Sequence, residues 1–191
     1  DALQELNVDP SEIDHVVISH LHFDHAGGLT RLNNGNPVSC FANATLHVQH
    51  QEWKDANQNR AVMTRTYLPT HLEPVASQVQ THTGCSSVLE GVTVEPTPGH
   101  TWGQQSVHID TADGPVVFPA DVVPTINHAP PAFVMAYDIE PYTAMQTKVN
   151  VLSRAAEEEW TLALGHEPGP VLVRAESDPE RPERRRLTPC P

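Results

Sequence analysis

The chain has 191 residues, 38% of them hydrophobic, with 11 Lys and Arg against 24 Asp and Glu and a formal charge of −13. That length suits one domain with a short extension better than two well-developed cores, and no apolar run approaches the roughly eighteen residues of a membrane span. The negative charge disfavours a nucleic-acid partner, whose phosphates are bound mostly by Lys and Arg, and the one basic cluster, Arg184 to Arg186, lies near the end of the chain.

In chain order, the β-branched run Val16-Val17-Ile18 predicts a short buried strand that runs into a histidine-rich loop, Ser19 to Gly28. Thr45 to Val48 predicts a second strand and Gln51 to Ala56 the start of a helix, while residues 57–83 carry no clear pattern. Val92-Thr93-Val94 leads into the turn-rich stretch Pro96 to His100. Ser106 to Ile109, the turn Ala112-Asp113-Gly114 and Val116 to Phe118 predict a hairpin that delivers Asp121. Pro141 to Glu158 is the clearest helix, with proline at its first turn and Met145, Val149, Leu152 and Ala156 on one face. Trp160 to Leu164 reads as a last buried strand, ending at Gly165-His166. From Glu176 onward Pro, Arg and Glu dominate and a flexible tail over residues 176–191 is expected. Proline, at 18 residues, is nearly twice as common as its usual share of about 5%, in keeping with many short connections.

Histidine carries the functional signal. The 12 histidines outnumber the lysines and arginines, and a side chain mostly neutral at pH 7 can ligate metal. His20, His22, Asp24 and His25 place four nitrogen or oxygen donors within six residues, more than one tetrahedral ion takes from a short loop. Two ions fit better. If His20 and His22 serve one and Asp24 and His25 the other, further donors must come from His100, Asp121 and His166 at strand exits. Asp121 has two oxygens and can bridge ions that lie roughly 3.5–4 Å apart in two-metal sites. Donors without thiolate suit two divalent ions, zinc first, with manganese, iron and cobalt open. The plain alternative, a chance cluster or one structural ion, fits less well, since structural zinc sites usually close with cysteines. His15, His47, His50, His71, His82, His108 and His128 lack such clustering and read as ordinary, His128 being the one near enough to Asp121 in sequence to line a pocket. Cys40, Cys85 and Cys190 form no C-x-x-C pair and suggest neither disulfides nor a cysteine zinc site, so a reducing, cytoplasmic compartment is expected. The chain opens on Asp1, which leaves room for an export signal upstream.

The run His20-Leu21-His22-Phe23-Asp24-His25-Ala26-Gly27-Gly28, then Thr97-Pro98-Gly99-His100-Thr101, Ala120-Asp121 and Gly165-His166, resembles the metallo-β-lactamase superfamily in motif, order and spacing. The stretch Phe118 to Asp138 resembles its branch of quorum-quenching acyl-homoserine lactonases. The likeness runs from about Ile13 to about Arg174. It implies an α/β fold, the four-layer αββα sandwich, over a domain of residues 1–175. Only about fifteen residues precede the histidine loop, where the family has several strands, so amino-terminal strands are expected to be lacking. Ala120 stands where the family often has Gly, and Pro124 where some lactonases have Tyr, which argues against a tyrosine-assisted step there.

The resemblance and the donor count imply the same chemistry: a hydroxide between two metals attacks a lactone or ester carbonyl, the ion of His20, His22 and His100 holds the oxyanion, and Asp24 passes a proton to the leaving alkoxide. Asp24 and Asp121 are the expected catalytic carboxylates. Phe23, Trp102, His128, Phe133, Met135 and Tyr137 are the candidates for substrate contact. The expected partner is a small lactone or ester, with no nucleic acid and no membrane, and a homodimer is one option. Thioester or phosphotriester hydrolysis, and a catalytically silent metal-binding fragment, are the competing readings.

Overall fold

The short β-branched runs become strands in a computed structural model that describes residues 2–58, 66–181 and 184–190. The chain divides into two compact units, Asp1–Thr83 and Gly84–Pro191.

In the first unit, α1 (Ala2–Glu5) precedes β1 (His15–Val17), the one-turn helix α2 (Phe23–Ala26), a hairpin of β2 (Thr30–Asn33) and β3 (Asn36–Ser39), β4 (Thr45–Gln49), α3 (His50–Gln58), α4 (Pro69–Leu72) and β5 (Val79–His82). Strands β1, β4 and β5 form a parallel sheet in the order β1-β4-β5. The central strand β4 is buried at Leu46, His47, Val48 and Gln49 alike, the mark of a parallel strand covered on both faces. Asn34 and Gly35 turn the β2–β3 hairpin with φ of 51° and 82°, positive at both central positions as a type I′ turn requires. Residues 57–83, unassigned from sequence, thus supply α4 and β5, with 59–65 outside the described residues. β5 has one apolar residue in Val-Gln-Thr-His, too few for the alternation that marks a strand.

Three histidines regarded as ordinary meet across this sheet. His15 Nδ1 lies 2.9 Å from His47 Nε2, and His47 Nδ1 lies 2.9 Å from His82 Nε2. Ring centroids are 5.2 Å apart in both pairs, so the nitrogens face one another along the line of the rings. That is N–H···N geometry, not the convergent lone pairs of a chelate. Burial, and then the neighbouring His82 and His15, push the His47 ring down to about 4.

The second unit is a seven-stranded sheet in the order β12-β11-β10-β9-β8-β7-β6, built from β6 (Ser86–Leu89), β7 (Val92–Pro96), β8 (Gln105–Ile109), β9 (Val116–Phe118), β10 (Thr161–Ala163), β11 (Leu172–Ser177) and β12 (Arg185–Pro189). The expected hairpin is β8–β9, antiparallel, and β10 returns parallel to β9. Helix α5 (Pro141–Glu157) joins them and packs against the sheet. Val151, Leu152 and Ala155 meet Val117, Leu162, Val173 and Leu187 in one core.

Two expectations need correction here. The buried face of α5 is Ala144, Lys148, Val151, Leu152 and Ala155, while Val149 is exposed. The apolar stripe is rotated because a lysine lies in it: the Lys148 stem is buried and its ammonium donates to the Phe133 carbonyl. Burial also pulls that ammonium down to about 8. Second, Arg185–Pro189, expected in a tail, pairs antiparallel with β11 from Val173–Pro189 to Ser177–Arg185. Backbone hydrogen bonds and the buried Leu187 hold this arginine-rich segment in place despite its composition.

Candidate functional site

In the first unit the chain leaves β1 through Ile18, whose N–H donates to the His47 carbonyl at 2.9 Å. It runs outside regular structure, with a bend at Ser19, to His22, which caps α2 and whose carbonyl accepts the His25 and Ala26 N–H groups at 2.9 and 2.8 Å. This sharp entry into one helical turn folds the motif back on itself. The His20 ring lies 4.7 Å from that of His22, nearly perpendicular, and 4.0 Å from that of His25. Asp24 Oδ2 is 3.5 Å from His25 Nε2. His20 and His22 are buried, whereas Asp24 is the most open of the four, with 42% of its side chain exposed.

A residue that sequence reasoning passed over supports this turn. Glu52 of α3 is fully buried and accepts the Leu21 N–H at 2.8 Å, midway between His20 and His22, and also the Tyr67 hydroxyl at 3.2 Å. The Tyr67 ring stands 5.3 Å from that of His22. Burial, reinforced by the Glu52 charge, pushes its phenol well above the usual range. Ser19 Oγ lies 3.2 Å from His20 Nδ1.

In the second unit His100, Asp121 and His166 follow the ends of β7, β9 and β10, strands of one sheet in which β9 and β10 are neighbours and β8 separates β9 from β7. Asp121 sits in a 3-10 turn, Ala120–Val122. Its Oδ2 is 3.4 Å from His100 Nε2 and its Oδ1 3.2 Å from His166 Nε2, so one buried carboxylate stands between two imidazoles. Ala120, where the family often has glycine, is fully buried with φ of 51°. An L side chain there costs roughly 1–2 kcal/mol, which locates backbone strain beside Asp121.

Gly99 is required on steric grounds. Its φ is +137°, and a Cβ would fall 2.4 Å from both N and Cα of Ala144. The loop therefore lies directly on the start of α5, with Glu140 N–H donating to the Gly99 carbonyl at 2.9 Å and Ile139 N–H to that of His100 at 3.1 Å. A second residue assigned no role from sequence, though it closes the stretch Phe118 to Asp138, is Asp138, which receives His100 Nδ1 at 2.8 Å. Both Glu52 and Asp138 are single acidic residues outside any donor motif, and only the fold brings them to the ligands.

Of the six candidates for substrate contact, Phe23 in the first unit is exposed, as are Phe133 and Tyr137 in the second. Tyr137 packs edge-on to His100 with centroids 5.9 Å apart. Phe133 lines a surface hollow with Ile126, Pro130 and Arg184, and none of the donors of this unit lines it. Trp102 is tied down, its indole N–H donating to Glu140 at 2.9 Å. His128 Nδ1 lies 2.8 Å from Thr125 Oγ1, and burial, then the Lys148 charge, lower its pKa. Met135 is half-buried and its N–H donates to Asp138 Oδ2 at 3.0 Å.

The donor sets fit divalent metal on their chemistry. Each combines imidazoles with carboxylate and contains no thiolate. The His100 ring is oriented through Nδ1 by a carboxylate, as metal-ligating histidines commonly are. Among the described residues the cysteines are free, and no helix is long and apolar enough to cross a membrane.

Histidine and aspartate donors at strand exits of mixed α and β units define a metal-binding α/β protein. The chain belongs to the metallo-beta-lactamase superfamily, whose sequence profile matches residues 1–166, and it has that family's fold. It is 33% identical to an N-acyl homoserine lactonase of Bacillus sp over 120 residues, 62% of this chain and 42% of the relative. It is 27% identical over 179 residues, 88% of this chain and 63% of the relative, to the N-acyl homoserine lactonase AttM of Rhizobium radiobacter. The fold matches that of AidC, a dizinc quorum-quenching lactonase solved with a product, N-hexanoyl-L-homoserine, with a TM-score of 0.84 and 17% identity over 100% of this chain and 68% of that one. The chain thus spans less than half the length of the Bacillus relative.

Proposed function

We propose that this chain carries the metal centre of a hydrolase that opens lactone or ester bonds, with N-acyl homoserine lactones the first substrate class to test. The observation that carries the reading is Asp121, a buried carboxylate with one oxygen toward His100 and the other toward His166. A bridging ligand needs that disposition. The names of the relatives support the substrate class.

In this reading His20, His22 and His100 hold one ion and Asp24, His25 and His166 the other, with Asp121 shared. When bound, two divalent ions, zinc first, supply Lewis acidity and water acidified to near neutral pH. The chain's own part is to orient and to move protons. Glu52 and Asp138 hold the donor loops from behind, and Asp24, the most exposed carboxylate, carries a proton to the leaving alkoxide. Tyr137 and Phe23 offer apolar surface to an acyl chain. A cytoplasmic location accords with the free cysteines, and a charge of −13 accords with a small-molecule substrate.

The test is hydrolysis by the metal-loaded chain of a panel of an acyl-homoserine lactone, a simple ester, a thioester and a phosphotriester. Lactone opening that is lost in His22→Ala and Asp121→Ala is the expected outcome. Preferential turnover of the thioester or the phosphotriester would move the substrate class. Two bound ions with no turnover of any substrate would make this chain a silent metal-binding unit.

A further inference from the structure

A histidine that ligates through Nε2 must carry its proton on Nδ1 and keep its ring at a fixed angle, and both are set by whatever Nδ1 faces. For His100, fully buried, that group is Asp138: Nδ1 to Oδ1 is 2.8 Å, while Nε2 points at Asp121 Oδ2, 3.4 Å away. The carboxylate is itself fixed. Oδ2 accepts the Met135 N–H at 3.0 Å, and the Asp138 N–H donates to the Met135 carbonyl at 3.1 Å. The next two residues bind the backbone of the His100 loop, Ile139 N–H to the His100 carbonyl and Glu140 N–H to the Gly99 carbonyl. Side chain and main chain thus register the 135–140 segment at three points, two on His100 and one on Gly99. Asp138 lies on the Nδ1 side of the ring and Asp121 on the Nε2 side, so the two carboxylates have different tasks.

We propose that Asp138 is a positioning residue that holds His100 as the Nδ1–H tautomer with Nε2 turned toward Asp121, and so sets the affinity of the ion that His100 helps to bind. This rests on the reading of His100 as a ligand, but part of its test does not. Long-range proton–nitrogen spectra of the metal-free chain at neutral pH report the tautomer directly. Wild type is expected to show His100 protonated at Nδ1, and Asp138→Ala to lose that preference. Asp138→Asn, nearly isosteric, has one oxygen to offer where Asp138 serves both His100 and the Met135 N–H. It is expected to remain folded by circular dichroism and to show a mixed tautomer.

In Zn2+ and Co2+ titrations both variants are expected to bind the ion that His100 helps to hold 10–100-fold less tightly, as loss of a ligand's supporting partner commonly does. The Co2+ absorption bands should change accordingly. A His100 that keeps its Nδ1–H tautomer in Asp138→Asn, or metal affinity within twofold of wild type in that variant, would overturn the proposal and leave Asp138 a brace of the 135–138 turn. Wild-type chain that binds no ion would instead overturn the dimetal reading, with the tautomer measurement still deciding whether Asp138 orients His100.

Discussion

Gly99→Ala is the sharpest structural perturbation near the candidate site. The new Cβ would lie 2.4 Å from N and Cα of Ala144, where ordinary carbon contacts are about 3.5–4 Å. Both obstructing atoms are backbone, so no rotamer change relieves the overlap, and the loop must separate from the start of α5 by about 1 Å. That separation strains or breaks the Glu140-to-Gly99 and Ile139-to-His100 hydrogen bonds, each a net contribution of about 1 kcal/mol. Holding alanine at φ of +137° adds about 1–3 kcal/mol. The expected cost is about 3–5 kcal/mol, and a chain of this size loses about 2–4 °C in Tm per kcal/mol, so Tm should fall by roughly 10 °C. Urea and thermal unfolding of the metal-free chain measure it. Gly28→Ala is the control, since a Cβ there meets nothing within 4 Å. Gly99→Ala with a stability within about 0.5 kcal/mol of wild type would refute the steric argument.

Acid should act through the histidine chain of the first unit. His47 is held at about 4 when folded against the 6.5 of an ordinary imidazole, so its contribution is full above 6.5 and is lost as pH falls through the folded value. At about 1.4 kcal/mol per pKa unit this is up to about 3 kcal/mol. Urea midpoints at pH 7 and pH 4 should therefore differ more for wild type than for His47→Gln, and equal differences would contradict it. Glu52→Ala leaves the Leu21 N–H and the Tyr67 hydroxyl without this acceptor and should cost about 2–4 kcal/mol in unfolding free energy. Glu52→Gln, which keeps an acceptor oxygen, should cost less than half as much. Deleting residues 184–191 removes β12 and uncovers Val173 and Ala175, so a clear drop in Tm is expected, whereas a mobile tail would leave Tm unchanged.

What could be read from the sequence was what is local. The donor motif from His20 to His25 is contiguous, and His100, Asp121 and His166 each follow a β-branched or apolar run that becomes β7, β9 or β10. What escaped depends on tertiary partners. Lys148 counts as polar in any periodicity, yet its stem is buried and its charge is satisfied by the Phe133 carbonyl, which rotated the buried stripe of α5 away from Val149. β12 reads Arg-Arg-Leu-Thr-Pro, and only pairing with β11 orders it. Glu52 and Asp138 are more than twenty residues from the ligands they support, so no spacing rule connects them to the site.

The central claim, that two sets of donors sharing Asp121 bind two ions, is tested most directly by metal analysis of the purified chain. Wild type should hold two divalent ions per chain after dialysis, while Asp121→Ala should hold fewer than one and open no lactone. Two ions retained in Asp121→Ala, with hydrolysis undiminished, would contradict the account.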